Sequence, residues 1–158
     1  MASTATGGTV DLTGFFADVV RCETRLYNAL NDRLRERHGI VTSQFEALRH
    51  LRDRPGARVA DLAAEFAIGI GATSKTVDRL ERQGWARRQP NPADRRSSLL
   101  ALTDEGRALV EAAERTVAER LAELLGAPLA GAPLPAVAQT FAALRSALER
   151  DRIGLPTG

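Results

Sequence analysis

The sequence predicts a mainly α fold: a winged helix-turn-helix reader domain with a two-stranded β wing, flanked by long helices that form a helical dimerisation layer. Three observations predict it. Between Val59 and Thr103 the pattern runs helix, glycine-broken turn, helix, then two short strands around a bend rich in Pro and Arg. On either side, apolar residues recur every three or four positions over long stretches. The chain is 44% hydrophobic but only 4% aromatic, which suits a helical core of Leu, Val and Ala.

At 158 residues the chain fits one domain or two closely fused layers. The expected organisation is a flexible N-terminus over residues 1–10, a dimerisation helix over 11–40, the reader domain over 41–103, C-terminal dimerisation helices over 104–152 and a flexible tail over 153–158. From Asp11 to His38, Leu12, Phe15, Phe16, Val19, Leu26, Tyr27, Leu30 and Leu34 make one apolar stripe that ends near Gly39. Thr42 or Ser43 caps the next helix, whose stripe is Phe45, Leu48 and Leu51 and whose stop is Pro55-Gly56.

Val59, Leu62, Ala63 and Phe66 then give a short amphipathic helix. Gly69 and Gly71 allow the backbone angles that a tight interhelical turn requires. The second helix of the pair runs from about Gly71 to Gln83 and stops at Gly84. Trp85 to Arg88 reads as a strand, Gln89 to Ala93 as a rigid turn set by Pro90 and Pro92, and Ser97 to Leu102 as a second strand. Thr103 caps a long helix carrying Leu109, Ala113, Val117, Leu121 and Leu124. After a Pro, Gly and Ala connector from Gly126 to Pro135, Leu134, Val137, Phe141, Leu144 and Leu148 recur with the spacing of a helix seam. So small a chain has little core for three such stripes, so at least one faces a second subunit.

Two segments carry the candidate chemistry. In the second helix of the pair, Val77 and Leu80 face the core, while Thr73, Ser74, Lys75, Asp78 and Arg79 are polar and lie in or near its N-terminal half. That half is the part a recognition helix places in the major groove, where hydroxyls and cations meet phosphates and base edges. At the bend of the ribbon stand Asp94, Arg95 and Arg96. An aspartate holds one guanidinium in a charge-assisted fork while the other reaches a narrow minor groove. Arg95 is assigned to the groove and Arg96 to Asp94 or a phosphate, with the swapped assignment left open. Formal net charge is only +2, so a basic surface must be local. Between Val77 and Ser98, Arg79, Arg82, Arg87, Arg88, Arg95 and Arg96 face only Asp78, Glu81 and Asp94.

With LAxxF followed by SKTVDRLERQGW, DRRSSLLALT through the wing and TDEG opening the next helix, the chain resembles the MarR family of bacterial transcription regulators. The resemblance covers nearly the whole chain, with its motifs concentrated between Leu62 and Gly106. It departs at Ala67, where the family often has Gly, and at Gly69 and Gly71, where a Ser-capped helix start is common. Replacing a Ser cap by Gly costs only a few tenths of a kcal/mol. The resemblance implies a homodimeric repressor of double-stranded DNA, read as a pseudopalindrome, with the first and last two helices intertwined. It also implies release by a small anionic or phenolic ligand in a pocket between the dimer layer and the reader domain.

Competing readings follow from other residues. A winged helix also serves as a protein-interaction module. Cys22, the single cysteine, excludes an intrachain disulfide and offers a redox-responsive thiol with Arg21 and Arg25 nearby; the plainer reading is a small buried hydrophobe. His38, His50 and Glu46 are too few for a closed metal site, so no metal or cofactor is expected. Tyr27, Arg49 and His50 suit an anion pocket or, more simply, helix packing. Neither histidine stands beside a recognisable nucleophile and no phosphate-cradling glycine motif is present, which argues against an enzyme. With no membrane-spanning segment and no signal-like start, the chain is expected in the cytoplasm.

Overall fold

The computed structural model describes residues 9–156; residues 1–8 of the expected N-terminal arm and 157–158 of the expected tail lie outside them. Six helices and one hairpin follow in order: α1 (Leu12–His38), α2 (Thr42–Asp53), α3 (Val59–Glu65), α4 (Ile70–Arg82), β1 (Ala86–Pro90), β2 (Ser98–Leu102), α5 (Asp104–Leu125) and α6 (Leu134–Arg150). The core gathers Leu34 and Ile40 with Phe45, Leu48 and Leu51 of α2, Leu62 of α3, Val77 and Leu80 of α4, Leu100 of β2 and Val110 of α5. No helix among the described residues is long and apolar enough to cross a membrane.

Asp11 caps α1 by accepting the Thr13 N–H at 3.1 Å, and Gly39 ends it in the left-handed region at φ +67°. That reversal delivers Ile40 into the core. The start of α2 differs from expectation. Val41 holds the cap position, and the Gln44 side chain reaches back to accept its N–H at 3.0 Å. Thr42 is already helical and buried; its N–H donates to Asn31 Oδ1 at 2.7 Å and its hydroxyl to the Tyr27 carbonyl. The residue expected to cap α2 therefore ties it to α1.

A second correction concerns the turn between α3 and α4. Gly69 is extended (φ −65°, ψ 145°) and Gly71 lies within the helix, so neither uses its conformational freedom. The left-handed residue is Ala67, at φ +50°. Its N–H donates to the Ala64 carbonyl and that of Ile68 to the Ala63 carbonyl at 3.0 Å, the paired bonds that close a helix through a left-handed residue. The side chain of Ala67 makes this conformation about 1 kcal/mol less favourable than glycine would. The same closure recurs after α4 with Gly84 at φ +76°, where Trp85 N–H donates to the Leu80 carbonyl.

β1 and β2 are antiparallel, with Ala86 opposite Leu102 and Pro90 opposite Ser98. Gln89 and Pro90, expected in the turn, extend the first strand, and the loop is Asn91–Ser97. On the far side of β2 the Leu100 N–H donates to the carbonyl of buried Ala57, at 2.8 Å. The hairpin then enters α5 through Thr103, whose oxygen accepts the Gly106 N–H at 3.0 Å and whose hydroxyl donates to the Gly84 carbonyl at 2.6 Å. A Cβ on Gly106 would stand 1.9 Å from the Trp85 carbonyl oxygen, which explains the glycine in TDEG.

α5 joins the other layers through polar pairs. Arg33 of α1 meets Glu123 at 3.1 Å, His38 meets Thr116 at 2.8 Å, and Arg52 of α2 forks onto Glu114 at 2.6 and 3.1 Å. α6 buries no residue, and its Val137, Phe141, Leu144 and Leu148 remain exposed.

Gly106→Ala is expected to destabilise the fold by roughly 3 kcal/mol or more, because backbone rather than a yielding side chain blocks the methyl group. Urea unfolding checks this; a loss under about 0.5 kcal/mol contradicts the close approach. A pH effect follows from Arg52. Its guanidinium holds the carboxyls of Glu114 and Asp53 below their usual ranges, chiefly by hydrogen bonding. Depressed folded-state values mean the stabilisation is present above the unfolded carboxylate pKa, about 4.5 for Glu114, and disappears as pH falls through the folded value. Arg52→Met is therefore expected to cost about 1 kcal/mol at neutral pH, with the gap to wild type closing in acid.

Candidate nucleic-acid interface

α4 is oriented by Thr73, Val77 and Leu80, which are buried at positions i, i+4 and i+7 on one face. The other side carries Gly71, Ala72, Lys75, Asp78, Arg79 and Arg82, all exposed. Thr73 is thus withdrawn from the interface expected of it. Only 1% of its surface is accessible, and its hydroxyl donates to the Gly69 carbonyl at 3.0 Å. Ser74 is partly buried at the edge of the exposed face, whereas Lys75 and Arg79 lie on it.

The wing loop is held by its own side chains. Asp94 accepts the Arg96 backbone N–H at 2.9 Å and the Ser97 hydroxyl at 3.1 Å. Asn91 accepts the Ala93 N–H at 3.0 Å and donates to the Ser97 oxygen. Asp94 therefore shapes the turn rather than forking a guanidinium, because its two oxygens engage the loop itself. Arg95 and Arg96 are both exposed and have no ion-pair partner among the described residues.

Arg88 is a contact the residue pattern did not single out. On β1, Ala86 points inward and Arg87 outward. Arg88 instead meets both acids of α4: it pairs with Glu81, donates to Asp78 Oδ1 at 2.8 Å, and its backbone N–H donates to Glu81 at 2.9 Å. Asp78 and Glu81 thereby share one cation, which offsets half of their combined charge. Lys75, Arg79, Arg82, Arg87, Arg95 and Arg96 form no ion pair among the described residues, and all six are exposed. Arg82 and Arg87 extend the expected set; the helical spacing from Lys75 to Arg79 and Arg82, and the alternation along β1, mark them in the sequence.

Behind α4 lies a cavity of about 920 Å³ bounded by α1, α2, α3 and α4, with Phe141 of α6 also on its wall. Thr73 and Thr76 line it from the inner face of α4, and Leu62 and Phe66 from α3. Cys22 lines it as well, and its exposure overturns the reading as a buried hydrophobe. Tyr27 faces the cavity, while Arg49 pairs with Glu46 and Glu114 and His50 packs edge-on against Phe66 at 5.9 Å. These last three do not assemble a common anion site.

Residues 40–98, which contain α2 to α4, β1 and the whole wing loop, match the model of the MarR family. In this region the chain is similar to the MarR family. Over 82 residues it is 33% identical to the multiple antibiotic resistance protein MarR of Escherichia coli strain K12, a match covering 52% of this chain and 57% of that protein. The matched region spans about half the length of the curated relatives. Solved structures extend the likeness. A MarR mutant from E. coli complexed with operator DNA superposes with a TM-score of 0.69 at 26% identity, covering 88% of this chain and 99% of that one. CouR from Rhodococcus jostii RHA1 bound to p-coumaroyl-CoA gives 0.71 at 25% identity, covering 86% and 91%.

Arg88→Met leaves two neighbouring carboxylates without their shared cation. It is expected to lower stability by about 1 kcal/mol, since all three groups remain partly solvated. The double variant with Asp78→Asn and Glu81→Gln should recover most of that loss; equal losses with and without the two acids would contradict the clamp.

Proposed function

We propose that this chain is a MarR-family, sequence-specific DNA-binding transcriptional regulator, acting in the cytoplasm as a homodimeric repressor of a pseudopalindromic operator and released by a small molecule. The observation that carries the reading is the surface of α4, β1 and the wing: six exposed cations without ion-pair partners, with the neighbouring acids engaged by Arg88 and by the loop backbone. Such a surface suits the phosphate backbone. Lys75 and Arg79 on α4 are placed for the major groove, and Arg95 or Arg96 on the wing for the adjacent minor groove. Ser74 and Asp94 contribute indirectly, the first from the edge of α4 and the second by shaping the wing. The operator-bound MarR structure favours this assignment by likeness.

Dimerisation is supported by the apolar surface of α1 and α6. Leu12 and Phe16 are 74% and 66% exposed, and α6 presents a continuous stripe with nothing buried beneath it. A second copy covering both stripes removes that surface from water, and twofold symmetry pairs two reading heads with two half-sites about one helical turn apart. The cavity supports ligand control because it lies against the inner face of α4. A molecule that fits it differently in two arrangements of the heads shifts their populations.

Selection from a random duplex library at near-physiological salt, with the dimer verified by sedimentation, tests the reading. Enrichment of a pseudopalindrome is expected; no enrichment by a folded dimer would favour the interaction-module alternative. Replacing Arg95 with Ala is expected to weaken binding by about 1–3 kcal/mol and to alter preference for A·T-rich flanks. Lys75→Ala, as a phosphate contact, should weaken all sequences alike and lower the salt slope by about one, whereas relaxed choice at one base pair would make it a base contact.

A further inference from the structure

We propose that the cavity behind α4 takes a lipophilic cation: a bulky, aromatic-bearing molecule with a delocalised or quaternary positive charge. This rests on reading the cavity as the effector site and assigns its ligand class. The family resemblance implies an anionic or phenolic molecule, but the walls have the opposite preference. Three carboxylates line the cavity, Asp18 and Glu23 from α1 and Glu46 from α2, and no Lys, Arg or His does. Among the described residues, Asp18 and Glu23 have no ion-pair partner. Glu46 has only Arg49, 3.7 Å away on its own helix, and Arg49 is shared with Glu114 at 3.6 Å. Burial raises the Glu46 carboxyl, with Arg49 pulling the other way.

The remaining walls are largely apolar. Phe15 and Tyr27 of α1, Phe66 at the end of α3 and Phe141 of α6 supply aromatic surface. Aromatic faces attract a desolvated cation, while they offer an anion no compensation for lost water. At about 920 Å³ the space is in the range that holds a drug-sized molecule. A small, strongly hydrated cation is a poor match, since apolar walls replace few of its water contacts. A large cation with diffuse charge loses little hydration and gains both the aromatic surface and the carboxylates.

Two probes of matched shape and opposite charge test the assignment on the intact protein: tetraphenylphosphonium and tetraphenylborate, titrated calorimetrically beside salicylate. The expected result is saturable binding of tetraphenylphosphonium at least about tenfold tighter than either anion, equivalent to about 1.4 kcal/mol. Asp18→Asn with Glu46→Gln keeps the cavity's shape and is expected to reduce that preference to less than about threefold, with an unchanged melting profile and unchanged operator retention. Tighter binding of either anion, no saturable binding of the cation, or a preference that survives in the folded double variant would each overturn the proposal. Operator retention is read separately. Cation binding without DNA selection would remove the regulator reading and leave the ligand class intact; DNA selection with anion preference would do the reverse.

Discussion

The placement of the reading head depends on one close approach, where the first turn of α5 lies against the backbone that leaves α4. Gly84 reverses the chain in a left-handed conformation, Trp85 exposes its carbonyl, and Thr103 and Gly106 close on both residues. The Trp85 carbonyl accepts the Thr103 N–H at 3.1 Å, so the two ends of the β hairpin are pinned where the hairpin begins. Any side chain at 106 would force the helix away. This junction ties α4 and the wing to α5, and α5 in turn is joined to α1 and α2 by Glu123 and Glu114. The position of α4 is thereby tied to the helices that carry the proposed dimer surface.

Most of the frame was legible because it depends on local chemistry. Asp11, Gly39, Gly84 and Thr103 punctuate the helices as their side chains or lack of one dictate, and apolar periodicity marked every helix. The misassignments arise where a residue's partner is distant or its phase was ignored. Thr42 looked like a cap, but Asn31 and Tyr27, more than ten positions earlier, claim it. Ala67 gives no compositional sign of a left-handed backbone; the turn geometry imposes it. Thr73 was readable in principle. It stands four residues before Val77 and seven before Leu80, so the core-facing phase includes it despite its hydroxyl.

Charge shows the same limit. A count of arginines and acids between Val77 and Ser98 suggests a moderately basic surface, but pairing decides which charges remain outward. Arg88 occupies Asp78 and Glu81 together, and Asp94 turns to its own loop. Subtracting these leaves cations on both α4 and the wing. Arg88 adds one positive charge whichever way it points; facing inward, it also fixes the side chains of the two acids. Pairing across seven and ten residues, between a helix and a strand, is invisible to sequence periodicity.

The two faces of α4 give this arrangement a possible means of control. Lys75 and Arg79 look outward, while Thr73 and Thr76, on the same turns, line the cavity. Thr73 and Lys75, two positions apart, point about 160° apart, so contact at one reaches the other across a helix about 10 Å thick. Any influence on DNA binding is bounded by the ligand's difference in affinity between head arrangements, and DNA must oppose the ligand by an equal amount. Tight occupation of the cavity alone accomplishes nothing if both arrangements fit the ligand equally. The relevant contacts are therefore those that would differ between two arrangements of α4 against α1 and α2. Glu46 and Asp18 belong to the helices on one side of the cavity, and Thr73 and Thr76 to the helix on the other. A cation drawn toward the carboxylates would press its aromatic bulk against the threonines, making the position of α4 the coordinate along which charge recognition and DNA recognition compete.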